Sequence, residues 1–229
     1  MLKVHVLVIA LILVISCVEQ KEAPEVYPLD DTTKVDFVNV QGKMVSHAGK
    51  VGLEVHALPS AFEEGSHETM VILSDETFTD GTITLEVAGG RAEGARESAR
   101  GFVGVAFRVD PKDYASYECI YLRPANGRAE NQLQRNHSVQ YISHPEHPWF
   151  KLRKEHPGLY ESLDLELDTW TRMKVEVEGS TAKLFVHGES QPTLIVKDLK
   201  KGNQSGLIGL WQHRSTLARF RNIEVLHSE

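Results

Sequence analysis

Gly101-Phe102-Val103-Gly104-Val105-Ala106-Phe107-Arg108-Val109 is the stretch that decides the fold. Side chains of an extended strand alternate between two faces, so the stretch divides into two rows. Val103, Val105, Phe107 and Val109 form one row, entirely apolar, and that row belongs in a core. Phe102, Gly104, Ala106 and Arg108 form the other. The same period of two recurs in both directions along the chain, with no sustained helical stripe. It predicts strands near 35–40, 43–47, 51–56, 69–73, 79–88, 101–109, 116–123, 137–143, 161–167, 170–178, 181–187, 193–198, 206–212 and 218–226. Turn signals separate them, among them Asp80-Gly81, Gly89-Gly90, Asn126-Gly127 and Lys201-Gly202-Asn203. Gly90–Arg100 reads as a mobile loop or one short helix. Many short strands with such punctuation make an all-β, antiparallel sandwich or barrel.

The second rows carry the first hint of a site. In the strand near 116–123, Ile120 and Leu122 oppose Tyr117, Cys119, Tyr121 and Arg123; near 206–212, Ile208 and Leu210 oppose Leu207, Gly209, Trp211 and His213. An ordinary solvent face looks like Arg172, Lys174, Glu176 and Glu178 instead. Aromatic rings, planar donors (Arg108, Arg123) and missing side chains (Gly104, Gly209) describe a groove suited to a sugar, whose C–H faces stack on rings while its hydroxyls take hydrogen bonds. A second, semi-polar core covered by a loop would show the same row. Two long connections, Pro124–Asn136 and His144–Tyr160, add Arg128, Asn131, Gln132, Arg135 and Asn136, then His144, His147, Trp149 and His156. Trp149-Phe150 reads as an exposed sugar platform or as a plug for one end of the sandwich.

The N-terminus has a separate logic. Lys3, an apolar run over 4–15 broken only by His5, and Ser16-Cys17 have the anatomy of a secretory signal, and the run is shorter than the roughly 20 residues a spanning helix needs. Val14-Ile15-Ser16-Cys17 resembles a bacterial lipobox, which implies cleavage after residue 16 and lipidation of Cys17. An ordinary cleaved signal or short anchor is the other reading. Residues 17–33 are acidic and proline-bearing, a flexible tether, and 34–229 form one β-domain. The expected location is the bacterial cell envelope, periplasmic or surface-exposed, with the membrane as a partner through the lipid. A net charge of −7 and the lack of a basic stripe exclude a nucleic-acid partner. The chain has two cysteines, so Cys119 has no disulfide partner once Cys17 is lipidated; it reads as a small packed residue.

From about Glu68 to Leu226 the chain resembles the concanavalin A-like lectin/glucanase superfamily, and within it the 3-keto-disaccharide hydrolase (family 16 glycoside hydrolase-like) domains. The resemblance rests on Phe78–Glu86, Gly101–Arg108, Tyr121-Leu122-Arg123-Pro124, Arg135-Asn136-His137-Ser138-Val139-Gln140-Tyr141, Gly206–Trp211 and Ala218–Val225. It implies a two-sheet antiparallel jelly-roll sandwich whose concave face handles carbohydrate. The paired acids of a retaining glucanase are absent: Glu166-Leu167-Asp168-Thr169-Trp170-Thr171 lacks the last carboxylate. Asp164, Glu166 and Asp168 share a strand face about 6.5 Å apart, as a solvated edge would too. A 3-keto sugar has acidified C–H bonds beside its carbonyl, so its cleavage needs a base and a donor for the enolate rather than two carboxylates. His137 is the base candidate, with Arg123, Arg135, Asn136 and Gln140 as donors; a strand-start histidine bonded to its own loop is its plain alternative. Arg108, Tyr117, Tyr121, Arg128, Trp149, Trp211 and His213 are the candidate substrate-binding residues. The expected function is a lipid-anchored protein cleaving or processing a small glycoside, plain or 3-keto; the alternative is a non-catalytic glycan-binding module. No cofactor or catalytic metal is expected. Oxygen ligands for a structural calcium are plentiful, without a specific loop pattern.

Overall fold

A computed structural model describes residues 23–31, 33–63 and 68–228. Fifteen strands occur among them: β1 Glu25–Tyr27, β2 Val35–Val38, β3 Val40–His47, β4 Lys50–Ala57, β5 Met70–Phe78, β6 Gly81–Arg91, β7 Val103–Val109, β8 Tyr117–Leu122, β9 Val139–His144, β10 Tyr160–Glu161, β11 Thr171–Glu178, β12 Thr181–Val186, β13 Leu194–Val196, β14 Gly206–Gln212 and β15 Thr216–His227. Three short α-helices, α1 Pro124–Gly127, α2 Gln132–Arg135 and α3 Trp149–Glu155, and a 3-10 helix over Pro59–Phe62 interrupt the connections. None is long and apolar enough to cross a membrane.

The strands form two antiparallel sheets, as the alternation and the resemblance require. One runs β13-β12-β11-β6-β15-β4-β3, with β1 also on β15; the other runs β10-β9-β8-β7-β14-β5-β2. Between them lies the main core. β6 contributes Ile83, Leu85 and Val87, β11 Met173, Val175 and Val177, and β7 Val103, Val105 and Phe107, all almost fully buried. Each such side chain contributes about 1.5–3 kcal/mol on leaving water. The β6–β11 register sets Leu85 opposite Met173 and Ile83 opposite Val175, so the apolar rows coincide. Outward neighbours on β11, such as Arg172 and Lys174, are exposed or half-buried.

Three expectations need correction. Val109 leaves the core row because β7 carries a bulge: three steps from Ala106 to Val109 match two steps from Gly209 to Leu207, and Arg108 takes a φ of 54°. One extra residue moves Val109 to the outer face, where it packs with Met70, Ile72 and Tyr117. The strand expected at 161–167 is reduced to β10; beyond it Asp164, Glu166 and Asp168 are exposed in irregular chain, and Asp168 has a φ of 61° that an extended strand does not accept. Finally, β1 lies inside the stretch assigned to the tether. It pairs with β15 (Glu25 opposite Val225, Tyr27 opposite Ile223), and Tyr27 and Leu29 are buried, so the sandwich starts before residue 34. Cys17 and the signal stretch lie outside the described residues.

Candidate functional site

The outer face of the β7–β8–β14 sheet has the composition that the row analysis assigned to it, but it is not an open groove. Tyr117, Cys119, Tyr121 and Trp211 all lie on it, together with Met70, Ile72, Ala106 and Ile142, in a second buried cluster. Tyr117 and Tyr121 are each 2 % exposed and Trp211 is 8 %. The cause lies in the small residues. Gly104 sits between Tyr121 on β8 and Trp211 on β14, whose rings come to 4.8 Å between centroids. A Cβ on Gly104 would run into the Ile120 carbonyl and Tyr121 Cα, so the close approach of β8 takes the space the glycine leaves. The indole N–H of Trp211 donates to the Tyr117 hydroxyl, and His144 stacks on Tyr117 at 5.1 Å. These rings form a foundation rather than a sugar platform. Cys119 is the small packed residue expected, its thiol pushed well up by burial and nearby Glu68.

Arg108 is also displaced from the expected surface. The bulge turns it into one end of the sandwich, where it is 1 % exposed. Its guanidinium donates to the carbonyls of Thr79, Gly179 and Gly202 and pairs with Asp80 at 2.9 Å. Near the same end, the buried Glu118 accepts from the Tyr141 hydroxyl (2.7 Å) and the Lys201 amide (2.7 Å). Arg128 is exposed and pairs with Asp164 and Glu166, each at 2.9 Å, while Asp168 pairs with Arg219. The three acids are thereby engaged by arginines and do not form a catalytic pair.

The opposite end of the sheet holds a cavity of about 580 Å³, within the range of small-ligand sites. It forms where β7 begins, β8 and β14 end and β9 begins, with α2 and α3 bordering it. Four of the expected residues meet there: Arg123, His137, Trp149 and His213. Phe102, Arg100, Asn126 and Arg153 line it as well.

Arg123 follows the last residue of β8, and its backbone N–H donates to Ser138 at 2.8 Å, which pins it beside β9. Its guanidinium lies over the rings of Phe102 (5.2 Å), Tyr121 (5.3 Å) and Trp149 (5.9 Å). One terminal nitrogen donates to the Tyr121 hydroxyl (2.9 Å) and to Gln140 Oε1 (3.3 Å), while Nε is buried with no partner. Gln140 is itself fully buried, tied to the carbonyls of Tyr141 and Leu159, so it aims Arg123 rather than touching a ligand.

His137 precedes β9 and stacks on Tyr160 at 4.1 Å. Its Nδ1 bonds the carbonyl of Leu133, as a histidine held by its own loop would. A carbonyl only accepts, so Nδ1 carries the proton, and in the neutral ring Nε2 is the basic nitrogen. Nε2 is buried with no partner. Burial lowers the imidazole from its ordinary value; the Leu133 bond opposes this, and Arg153 and Arg123 reinforce it. Nδ1 thus fits the plain reading of a histidine bonded to its own loop, and Nε2 is left without a partner.

The remaining lining residues brace this pair. Asn126 donates to the His137 carbonyl at 2.7 Å and accepts from Arg100 at 2.6 Å. Arg153, on α3, lies over Trp149 at 4.8 Å, and its Nε too is buried without a partner. Trp149 is 44 % exposed and Phe150 62 %, so the pair does not plug the end of the sandwich, and Trp149 stands at the rim of the cavity. His213 bonds Ser215 Oγ at 2.7 Å and meets Phe102 edge-on. Arg135 and Asn136 are outside the lining: Arg135 Nε holds the Ala129 carbonyl, and Asn136 is an exposed helix cap. Arg100, Asn126 and Arg153 escaped the sequence reading, although Arg153 lies in a connection flagged for binding residues. No group of three or more His, Cys, Asp or Glu side chains among the described residues could hold a metal ion.

Comparison with solved structures gives the class. The carbohydrate-binding module CBM66 from Bacillus subtilis superposes with a TM-score of 0.51 at 14% identity, over 83% of this chain and 93% of that one. A Bacillus subtilis protein of unknown function with a galectin-like fold gives 0.51 at 14%, over 87% and 92%. The protein is a jelly-roll sandwich of the galectin-like class. No curated protein matches it in sequence. The family is nonetheless defined, since residues 39–226 match the 3-keto-alpha-glucoside-1,2-lyase-like domain; the chain belongs to that family and is a carbohydrate-related domain.

Proposed function

We propose that the cavity binds a saccharide and, where the sugar carries a 3-keto group, cleaves its glycosidic bond by elimination. The observation that carries this reading is that His137 and Arg123 line one cavity, and that each keeps a buried nitrogen, Nε2 and Nε, without a hydrogen-bond partner. His137 takes the proton from C2, which the neighbouring carbonyl acidifies. The C–H electron pair moves into an enolate whose oxygen Arg123 stabilises. Collapse of the enolate forms the C1–C2 double bond and releases the aglycone oxygen from C1, which takes up a proton. General-base action contributes about 10²–10⁴-fold to such a step, and a fixed cation at the enolate oxygen needs no reorganisation. Phe102 and the Trp149 platform offer apolar faces for the ring's C–H surface.

Purified protein incubated with a 3-keto-glucoside and with the matching plain glucoside tests the reading. Release of aglycone from the keto substrate alone, abolished in His137→Gln, is the expected result. Binding without release from either substrate would make the protein a glycan-binding module and end the lyase reading. We further propose that the chain is exported and lipid-anchored through Cys17, on the lipobox-like Val14-Ile15-Ser16-Cys17. A Cys17→Ser protein should leave the membrane fraction; its retention there would refute the anchor.

A further inference from the structure

The cavity is electrically unbalanced. Arg100, Arg123 and Arg153 all line it, and no Asp or Glu does. Elsewhere in the molecule the arginines with structural duties are neutralised: Arg108 by Asp80, Arg128 by Asp164 and Glu166, Arg219 by Glu54 and Asp168. Around the cavity the guanidiniums face one another instead. Arg123 and Arg153 lie over the same indole, Trp149, at 5.9 and 4.8 Å. Arg100 and Arg153 are lowered by burial and by the positive charge of Arg123, with no carboxylate opposing it. Arg123 is 5 % exposed, and Nε of both Arg123 and Arg153 is buried without a hydrogen-bond partner. Like charges held together and partly desolvated destabilise the free protein, and a bound anion relieves that cost through charge-assisted bonds.

From this, and resting on the saccharide reading of the same cavity, we propose that the ligand is an anionic sugar whose carboxylate or sulfate is held by Arg100, Arg123 and Arg153. The volume of about 580 Å³ suits a ligand of one or two rings. The chain's net charge of −7 opposes approach of a polyanion, so the cavity's local positive field serves a small anion rather than a nucleic acid. The planar forks of the arginines match the oxygen pair of a carboxylate or two oxygens of a sulfate equally well.

Calorimetric titration of the full chain with methyl glucuronide, glucose 6-sulfate, methyl glucoside and inorganic sulfate tests this. A glucuronide or sulfated sugar should bind at least about tenfold more tightly than the neutral glucoside, one charge-assisted contact. The preference should shrink as sodium chloride is raised, and should fall in Arg153→Gln while the melting temperature does not drop. Which of the two sugars leads tells whether the recognised group is carboxylate or sulfate. Equal affinity for the neutral and charged sugars would overturn the anionic assignment and leave the saccharide reading standing. Binding of sulfate but of no sugar would overturn the saccharide reading and with it this proposal. No binding of any probe would overturn both.

Discussion

The two ends of the β7–β8–β14 sheet use the same residue type to opposite effect. At one end Arg108 is sealed in a cage of three carbonyls and Asp80, each of its three guanidinium nitrogens bonded. At the other, Arg123 and Arg153 are buried in part, stacked on rings and left with unpartnered Nε atoms. A buried arginine that is fully satisfied holds chain segments together. One that is incompletely satisfied beside a cavity keeps hydrogen-bonding capacity for something else. Residue identity alone cannot separate the two roles; the state of the donors does.

The largest effect should come from Arg108→Ala, which strands Asp80 and three carbonyls. It is expected to cost about 3–5 kcal/mol, read as a lowered urea midpoint, and Arg108→Lys should recover only part of it. An unchanged midpoint would erase the contrast between the ends. His137→Ala should cost about 10²–10⁴-fold in release of aglycone from a 3-keto-glucoside while the protein still folds. Acid should reproduce part of that loss. His137 must be neutral to act, and burial holds it below the ordinary 6.5, so turnover should be level at pH 7 and fall only as the pH drops through the lowered value. The sign for stability is the same: the unfolded chain binds the proton more readily, so His137's contribution is present above 6.5 and is lost on acidification. A rate that rises towards acid would exclude the histidine base. Tyr121→Phe removes one bond to Arg123 and should cost about 1 kcal/mol in stability, with a weaker grip on the sugar visible as a raised KM. Smallest of all, Arg128→Ala breaks only exposed pairs and should change stability by less than about 0.5 kcal/mol, leaving turnover untouched.

Strand parity was legible in the sequence, because a period of two assigns each side chain to a face without knowledge of its neighbours. Val103, Val105 and Phe107 went to the core and Tyr117, Tyr121 and Trp211 to the far side, as the clusters have them. Parity says nothing of what fills the space over a glycine. Gly104 looked like room for a ligand, whereas the backbone of β8 at Ile120 and Tyr121 approaches too closely to leave any. The bulge at Arg108 was equally hidden, since no glycine marks its positive φ. In the cavity, His137 and Arg123 were found through the Arg135–Tyr141 block and the β8 row. Arg100 and Arg153 come from a loop and from a seven-residue helix, where no alternation betrays direction.

The pairing of β1 with the far part of β15 has a geometric consequence. Glu25 enters opposite Val225, near the Arg108 end, whereas β15 starts at Thr216, just past His213 and the cavity. Nine residues of strand set these points roughly 30 Å apart. If the chain is held by lipid at Cys17, as proposed, the hold would fall at the heel of the sandwich and the cavity at its far end.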